Sequence, residues 1–232
     1  MKYLPALLAL WLASPCAMCA QRVKTMVAEF AETTQDTKTS VVEGTVFYEF
    51  PATVTLKVEK PLNQWIRITA KSTLVYYPDR ALAFNFRNTN PIPVSLAQPL
   101  SMGVTSDLGL SKAGFVISHK EIKDGTLYVH WKPPEQAGKN LGTVVVGMAR
   151  DELVSVAVLD GKGREAIKTT YANYVRHKSL NFPLEMVTVT TLKGASTSKT
   201  TVLKEPRFDV ELPKEVADFK LPPGVKVEEM GQ

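Results

Sequence analysis

Apolar and polar residues alternate with a period of two along most of this chain, and this alternation limits the fold more than any other feature. In the clearest segment, Val54, Leu56 and Val58 alternate with polar side chains. Successive side chains of a β-strand point to opposite faces of a sheet, so the pattern predicts a strand with one buried face. Similar segments predict strands at 42–50, 54–58, 65–70, 74–77, 81–86, 115–119, 126–132, 143–148, 153–159, 165–174, 184–192, 200–204 and 208–212.

The strands need a partner for their apolar faces. Many strands with one apolar face bury it only by curling over themselves or over helices. The spacing of Val23, Met26, Val27 and Phe30 is i, i+3, i+4, i+7, which predicts an amphipathic helix, and 90–114 predicts short helices and loops. We therefore predict a mainly β (α+β) fold: a single curved antiparallel sheet that forms an incomplete β-barrel covered by short α-helices.

The first residues predict export. Lys2 precedes an apolar run at 4–13, and small residues follow as far as Ala20. These are the features of a secretory signal peptide, and the run is shorter than the roughly 20 apolar residues of a spanning helix. We expect cleavage near Ala20, with Ala17 and Cys19 as other acceptable exits. Residues 21–232 would then form a single periplasmic domain.

Both cysteines, Cys16 and Cys19, lie within the predicted signal peptide. After cleavage beyond them, the chain would contain neither a disulfide nor a thiol nucleophile. A cysteine directly after a signal can instead be lipidated, which would anchor the protein to a membrane. Pro15 and Met18 stand before the two cysteines, where a small residue is expected, so the sequence favours an unanchored protein.

Motifs for several kinds of chemistry are missing from the sequence. The basic residues are scattered and the formal net charge is +5, so we predict no nucleic-acid partner. His119, His130 and His177 lack partners at metal-ligand spacings, and we predict that they are solvated or structural. The segment 161–164 is predicted to be a hairpin turn and not a phosphate loop. We therefore predict no enzyme activity, no metal and no cofactor.

Bulky apolar side chains are frequent in the predicted inward set of the first half. Such residues normally form a packed core. The alternative is a cavity for acyl chains, which gain about 0.8 kcal/mol for each buried CH₂ group. Composition alone favours the core. The residues in question are Tyr48, Phe50, Leu56, Ile66, Ile68, Tyr76, Phe84 and Phe86.

Short motifs follow one another in an informative order. They are Phe30 with Thr33-Thr34, Gly44, Lys60-Pro61 followed by Trp65, Tyr76-Tyr77-Pro78, Arg207-Phe208-Asp209-Val210, Leu212-Pro213 and Pro223-Gly224-Val225. This order resembles the periplasmic lipoprotein carriers of the LolA family over nearly the whole chain after the signal. The resemblance implies an incomplete β-barrel that takes the acyl chains of lipoproteins from an inner-membrane ABC-type exporter and passes them to an outer-membrane receptor. It implies no cofactor, and we expect a monomer.

The resemblance also implies roles for particular residues. We expect Leu100 and Met102 to belong to a lid. The family has an arginine before the proline of the first basic turn, implied to hold the lid; this chain has Lys60, which lacks the planar fork of arginine and would be a weaker lid latch. The expected walls of the lipid-binding cavity are Val46, Tyr48, Val54, Leu56, Ile66, Ile68, Phe84 and Phe86.

Two other functions are compatible with the sequence. The first is an envelope sensor or regulatory domain, with the same half-barrel fold, that binds a protein partner. The second is an enzyme that acts on lipid. An acylated lipoprotein or another lipid remains the predicted partner of a carrier.

Overall fold

A single sheet of 14 strands dominates the structure. The computed structural model describes residues 23–50, 53–69, 71–87, 107–135, 142–150, 152–178, 180–192 and 194–230. In chain order the strands are β1 (Thr25–Gln35), β2 (Thr39–Glu49), β3 (Thr53–Lys60), β4 (Gln64–Ile68), β5 (Ser72–Tyr77), β6 (Leu82–Arg87), β7 (Val116–Lys123), β8 (Thr126–Lys132), β9 (Val144–Ala149), β10 (Glu152–Leu159), β11 (Glu165–His177), β12 (Leu180–Leu192), β13 (Ala195–Phe208) and β14 (Lys226–Met230).

The order of the strands in the sheet is β14-β6-β5-β4-β3-β2-β1-β13-β12-β11-β10-β9-β8-β7. Strand β1 lies in the middle of the sheet, and the strands after it follow one another as far as β6. The next strand, β7, forms the opposite edge. From there the strands lead back to β13, which pairs with β1. These pairs are antiparallel, whereas β14 runs parallel to β6. The sheet is curved and remains open, with β14 and β7 as its edges, which confirms the predicted fold class.

Helices contribute little to the part of the chain that the structure describes. It contains a four-residue α-helix, α1 (Lys214–Ala217), and a three-residue 3₁₀ turn at Pro78–Arg80. Of the region predicted to form short helices and loops, residues 107–114 form turns, and residues 90–106 lie outside the described ranges.

The predicted N-terminal helix is wrong, because these residues form the central strand β1. Met26 is paired with Tyr48 and Val27 with Phe47, so the side chains of Met26 and Val27 lie on opposite faces of the sheet. Both residues are buried, as is Ala28. A strand buried on both faces has a continuous apolar run, which periodicity alone does not distinguish from a buried helix.

The end of the chain also differs from the prediction. The two strands predicted at 200–204 and 208–212 are replaced by the single strand β13, and β14 was not predicted. A register shift in the pairing of β1 with β13 places extra residues opposite Ala28, and Glu205 has a positive φ of 47° there. This bulge lets the strand continue through Pro206, which lacks the N–H that a regular ladder needs.

The main hydrophobic core lies on one face of the sheet, which we call the inner face and which carries Met26 and Tyr48. Side chains from both halves of the sheet meet in this single cluster, together with residues of the 107–115 segment. The sheet therefore curves around this face. Members of the cluster with less than 2% of their surface exposed are Met26, Val46, Tyr48, Val54, Val58, Leu108, Leu110, Val144, Val146 and Phe182.

The opposite, outer face is covered by the segment 209–225, which we call the C-terminal strap. Val216 of α1 is fully buried in a second cluster with Val27 and Phe47, against which Val210 and Leu212 also pack. After crossing this face, the chain adds β14 to the edge strand β6. The strap therefore closes the outer side of the β1–β6 half of the sheet.

A charged cluster fixes the point where the strap leaves β13. Asp209 accepts a hydrogen bond of 2.8 Å from the Lys24 backbone N–H, forms an ion pair with Lys178 at 2.6 Å and lies 2.9 Å from the Nε2 atom of His177. The bond from Lys178, followed by those from Lys24 and His177, holds the pKa of the Asp209 carboxyl well below its usual range. The Asp209 carboxylate therefore links the β11–β12 turn to the backbone just before β1.

Gly44 provides a test of the close approach of β2 and β3. A Cβ atom at this position would lie 2.1 Å from the Lys57 carbonyl oxygen and 2.9 Å from the Val58 Cα. We expect Gly44→Ala to lower the free energy of unfolding by at least about 2 kcal/mol, because backbone and not a flexible side chain would have to move. Urea denaturation measures this change.

Gly161→Ala is the matched control, because a Cβ atom there would meet no atom within 4 Å. Its free energy of unfolding should stay within about 0.5 kcal/mol of the wild-type value. Equal stability of the two variants would contradict the described pairing of β2 with β3.

Candidate functional site

Two rows of cross-strand neighbours line the inner face from β2 to β6. Residues directly paired in an antiparallel sheet lie on the same face. The first row is Val46, Leu56, Ile66, Val75 and Phe84, and the second row is Tyr48, Val54, Ile68, Thr73 and Phe86. The eight residues predicted as cavity walls therefore all lie on one face of the sheet. We call the two rows together the apolar face.

Exposure increases along the apolar face from the middle of the sheet towards β6. Val46, Tyr48 and Val54 are fully buried, with 0% of their surface exposed. Leu56, Ile66, Ile68 and Phe84 are half-buried, and Phe86 is 38% exposed. The first three residues therefore act as core, whereas the rest form an apolar surface that the side chains of the described residues cover only in part.

Tyr48 closes the buried end of the apolar face. Its ring stacks on Phe50 with 5.7 Å between centroids and meets Phe182 edge-on at 5.9 Å. Burial raises the pKa of the Tyr48 hydroxyl well above its ordinary value, so the side chain is uncharged. The contact with Phe182 joins the two halves of the curved sheet at this point.

Tyr76 lies on the outer face, although the sequence predicted that it points inward. It is paired with Trp65 and Ala83, while Val75 occupies the inward position opposite Ile66. The prediction counted β5 one residue out of register, and such a shift exchanges the two faces of a strand.

Lys60 lies at the end of β3, before the cis Lys60-Pro61 peptide bond. Its Nζ atom forms an ion pair with Glu43 Oε2 on the neighbouring strand at 3.1 Å, and its side chain is 75% exposed. The structure therefore places Lys60 on the rim of the sheet beside β2. Leu100 and Met102, the predicted lid residues, lie outside the described residues.

Arg67 fastens the C-terminal strap to the back of the apolar face. Its Nη1 donates to Thr55 Oγ1 at 3.1 Å and to the Val216 carbonyl oxygen at 2.9 Å, and its Nη2 donates to Glu49 Oε1 at 3.3 Å. The guanidinium also lies 5.6 Å from the centre of the Phe219 ring. One side chain thus connects α1 to strands whose other face carries Tyr48, Val54 and Ile68.

Two cavities flank α1 on the outer face. One has a volume of about 360 Å³ and is bordered by Arg67, Leu74 and Phe219. The other has a volume of about 400 Å³ and is bordered by Phe47, Lys57 and Glu215. Sequence reasoning missed both, because it assigned residues 208–212 to a strand and did not place the following segment across the outer face.

Trp131 carries a buried polar group that the sequence did not single out. It lies on β8 between Ile117 and Val144 and is 6% exposed in the main core. Its indole Nε1 is buried and has no hydrogen-bond partner within the described ranges. Leaving a buried donor unpaired costs about 1–3 kcal/mol. The alternation of Leu127, Val129 and Trp131 was the only signal that could have placed it inward.

The histidines lie near carboxylates and aromatic rings. His130 is 3.2 Å from Glu121 through its Nε2, and its ring centroid is 5.3 Å from that of His119. His177 stacks on Phe208 and pairs with Asp209. Across the described ranges, no group of three or more histidine, cysteine, aspartate or glutamate residues has the arrangement of a metal site.

In the part of the chain that the structure describes, no helix combines the length and the apolar character needed to cross a bilayer.

The chain is similar to known proteins in its fold and not in its sequence. No protein-family profile and no curated protein matches the sequence. A LolA superfamily protein from Nitrosomonas europaea is 11% identical, with a TM-score of 0.57 over 83% of this chain and 89% of the other. A domain from Vibrio parahaemolyticus, named for outer-membrane lipoprotein sorting, is 13% identical, with a TM-score of 0.60 over 83% of this chain and 88% of the other.

A third similar structure is a DUF1329 family protein from Desulfovibrio piger. It is 11% identical, with a TM-score of 0.61 over 84% of this chain and 90% of the other. At these identities the similarity concerns the fold. The chain thus has a LolA-like fold, as its motif order predicted.

Arg67 and Lys60 allow two cross-strand ion pairs to be compared. We expect Arg67→Met to lower the free energy of unfolding by about 2 kcal/mol, because Glu49 and the Val216 carbonyl group lose a charged donor. The Arg67 side chain is 20% exposed, whereas Lys60 is 75% exposed. Lys60→Met, the control, should cost less than about 1 kcal/mol. Urea denaturation of both variants checks this order, and the reverse order would rule out Arg67 as the strap's fastening.

Proposed function

We propose that this protein is a periplasmic carrier that binds the acyl chains of lipoproteins, or of another lipid, on the apolar face and transports them towards the outer membrane. The observation that carries the proposal is the half-open part of this face, formed by Leu56, Ile66, Ile68, Phe84 and Phe86. The LolA-like fold supports it, because similar structures include one named for lipoprotein sorting.

The apolar face has the character that a reversible carrier needs. About 10 methylene groups buried against it would contribute about 8 kcal/mol before the cost of association is subtracted. That is enough to hold an acyl chain in water and small enough to allow its release. The buried residues Val46, Tyr48 and Val54 form a rigid base for the face, so binding need not disturb the core.

The remaining parts of the carrier proposal rest on the sequence and on its resemblance to the LolA family. Residues 1–20 direct export and are cleaved near Ala20, and residues 21–232 form a single, monomeric lipid-binding domain. Leu100 and Met102 belong to a lid that Lys60 latches from the rim of the sheet. An inner-membrane ABC-type exporter loads the carrier and an outer-membrane receptor unloads it. The carrier has no enzyme activity and needs no cofactor.

Titration with a fluorescent fatty acid that brightens in apolar surroundings tests the binding face. We expect saturable binding to the wild-type protein and at least about 10-fold weaker binding to Leu56→Asn. This substitution removes apolar contact from the middle of the face, and a tenfold change corresponds to about 1.4 kcal/mol. Leu192→Asn is the matched control, because Leu192 is 70% exposed, and it should bind like the wild-type protein.

Circular dichroism and urea denaturation show whether Leu56→Asn is folded. If it is not, Phe86→Gln replaces it, because Phe86 is already 38% exposed and tolerates a polar group more readily. The absence of saturable binding to the wild-type protein, or equal binding to a folded face variant, would show that these side chains are only core.

A second candidate function is the binding of a protein partner, as in a sensor or regulatory domain of the same fold. The observation that favours it is the edge strand β7, in which each residue is exposed. Val116 is 61% exposed and Ile122 is 77% exposed. A free strand edge with apolar side chains can receive a strand from another protein.

Native mass spectrometry of protein purified from its own periplasm separates the two functions. For a carrier we expect a bound acylated polypeptide or lipid, and its amount should fall in Leu56→Asn but not in Leu192→Asn. A stoichiometric partner without acyl chains, retained equally by both variants, would support the sensor and contradict the carrier. If neither an acylated ligand nor a protein partner is recovered, the result counts against the carrier.

A further inference from the structure

The indole group of Trp131 lies on the inner face of the sheet, which also carries the proposed binding site. Its cross-strand partner Val144 is paired with Val158, so the row that starts at Trp131 continues across the inner face. Trp131 belongs to the hydrophobic cluster against which Leu56, Ile66 and Ile68 of the apolar face pack. A ligand bound on the apolar face therefore lies against the same cluster as Trp131.

The hydrogen-bonding capacity of Trp131 Nε1 is unused within the part of the chain that the structure describes. An indole Nε1–H can only donate a hydrogen bond, and buried polar groups of folded proteins are almost always paired. Its neighbours across the strands, Ile117 and Val144, have no side-chain acceptor. No acceptor among the residues that the structure describes is bonded to Trp131 Nε1. A phenylalanine would fill an apolar core here without leaving a donor unpaired.

We propose that Trp131 Nε1 donates a hydrogen bond to the carbonyl oxygen of a bound acyl group. This inference rests on the proposed function and deepens it, because it defines the ligand class. The preferred ligand carries an ester, amide or carboxyl carbonyl group at the head of its apolar chain. An alkyl chain of equal length without that oxygen is a poorer ligand. Trp131 is thus the specificity-determining residue of an otherwise apolar site.

Two lipids that differ in one carbonyl group provide the test. The probes are 1-palmitoyl lysophosphatidylcholine and its 1-O-hexadecyl ether analogue, which share the headgroup and the length of the chain. Both are titrated below their critical micelle concentrations, in competition with the fluorescent fatty acid. We expect the wild-type protein to bind the acyl lipid about 3- to 10-fold more tightly than the ether lipid, the effect of one hydrogen bond.

Trp131→Phe should remove this preference. The variant should bind both lipids with the affinity that the wild-type protein has for the ether lipid, whereas a general loss of packing would weaken both equally. Trp65→Phe is the matched control, because Trp65 lies against Phe219 and Lys57 under the strap, and it should keep the preference. A folded Trp131→Phe variant that still prefers the acyl lipid overturns the proposal.

The wild-type protein gives a second measurement that does not depend on the variant's folding. In a ¹⁵N-labelled sample, the Trp131 indole N–H resonance should shift downfield with the acyl lipid and less with the ether lipid, while the Trp65 resonance stays in place. Equal binding of the two lipids, with no selective shift, overturns the role of Trp131 and leaves the carrier proposal intact. Failure of the wild-type protein to bind either lipid overturns both.

Discussion

The burial of β1 from both sides is the constraint on which the rest of the structure depends. Met26 and Ala28 need cover on the inner face, and Val27 needs cover on the outer face. The inner cover comes from the sheet itself, which curves until Tyr48 meets Phe182. The outer cover comes from the C-terminal strap, which inserts Val216 beside Val27 and Phe47. The curvature of the sheet and the C-terminal strap thus both bury apolar side chains of β1, one on each face.

As a result, the two ends of the apolar face differ in how far they are buried. Close to β1, opposing strands fill the space, and Val46 and Val54 are core. Towards β6 the described residues cover the face less completely, and Phe86 retains 38% of its surface. In the proposed carrier, such a face binds an apolar chain without giving up the stability of the core.

Local alternation predicted the strands with one buried face well, and it failed for the central strand β1 and for the edge strand β14. Strands such as β3 and β8, with one buried face, were predicted almost residue for residue, because the period of two reports burial directly. β1 was taken for a helix because both of its faces are buried. β14 was missed because its five residues form a strand through their pairing with β6, a contact that local sequence does not encode. The wall residues were placed on one face because the alternation in β2, β3, β4 and β6 matches their register, whereas β5 was counted one residue out. Alternation in β8 could place Trp131 inward but could not reveal its unpaired donor. The contact of Arg67 with the distant strap follows from no local pattern.

The pairing of the first strand with the last long one has a consequence for the order of folding. Lys24 and Asp209, joined by a hydrogen bond at this junction, are 185 residues apart in the chain. Contacts of such separation form late, because a long loop must close before any of them is gained. The N-terminal half therefore has no finished core until β13 and the C-terminal strap are available. A chain of this topology completes its native core only after the segments that follow β12 have been added.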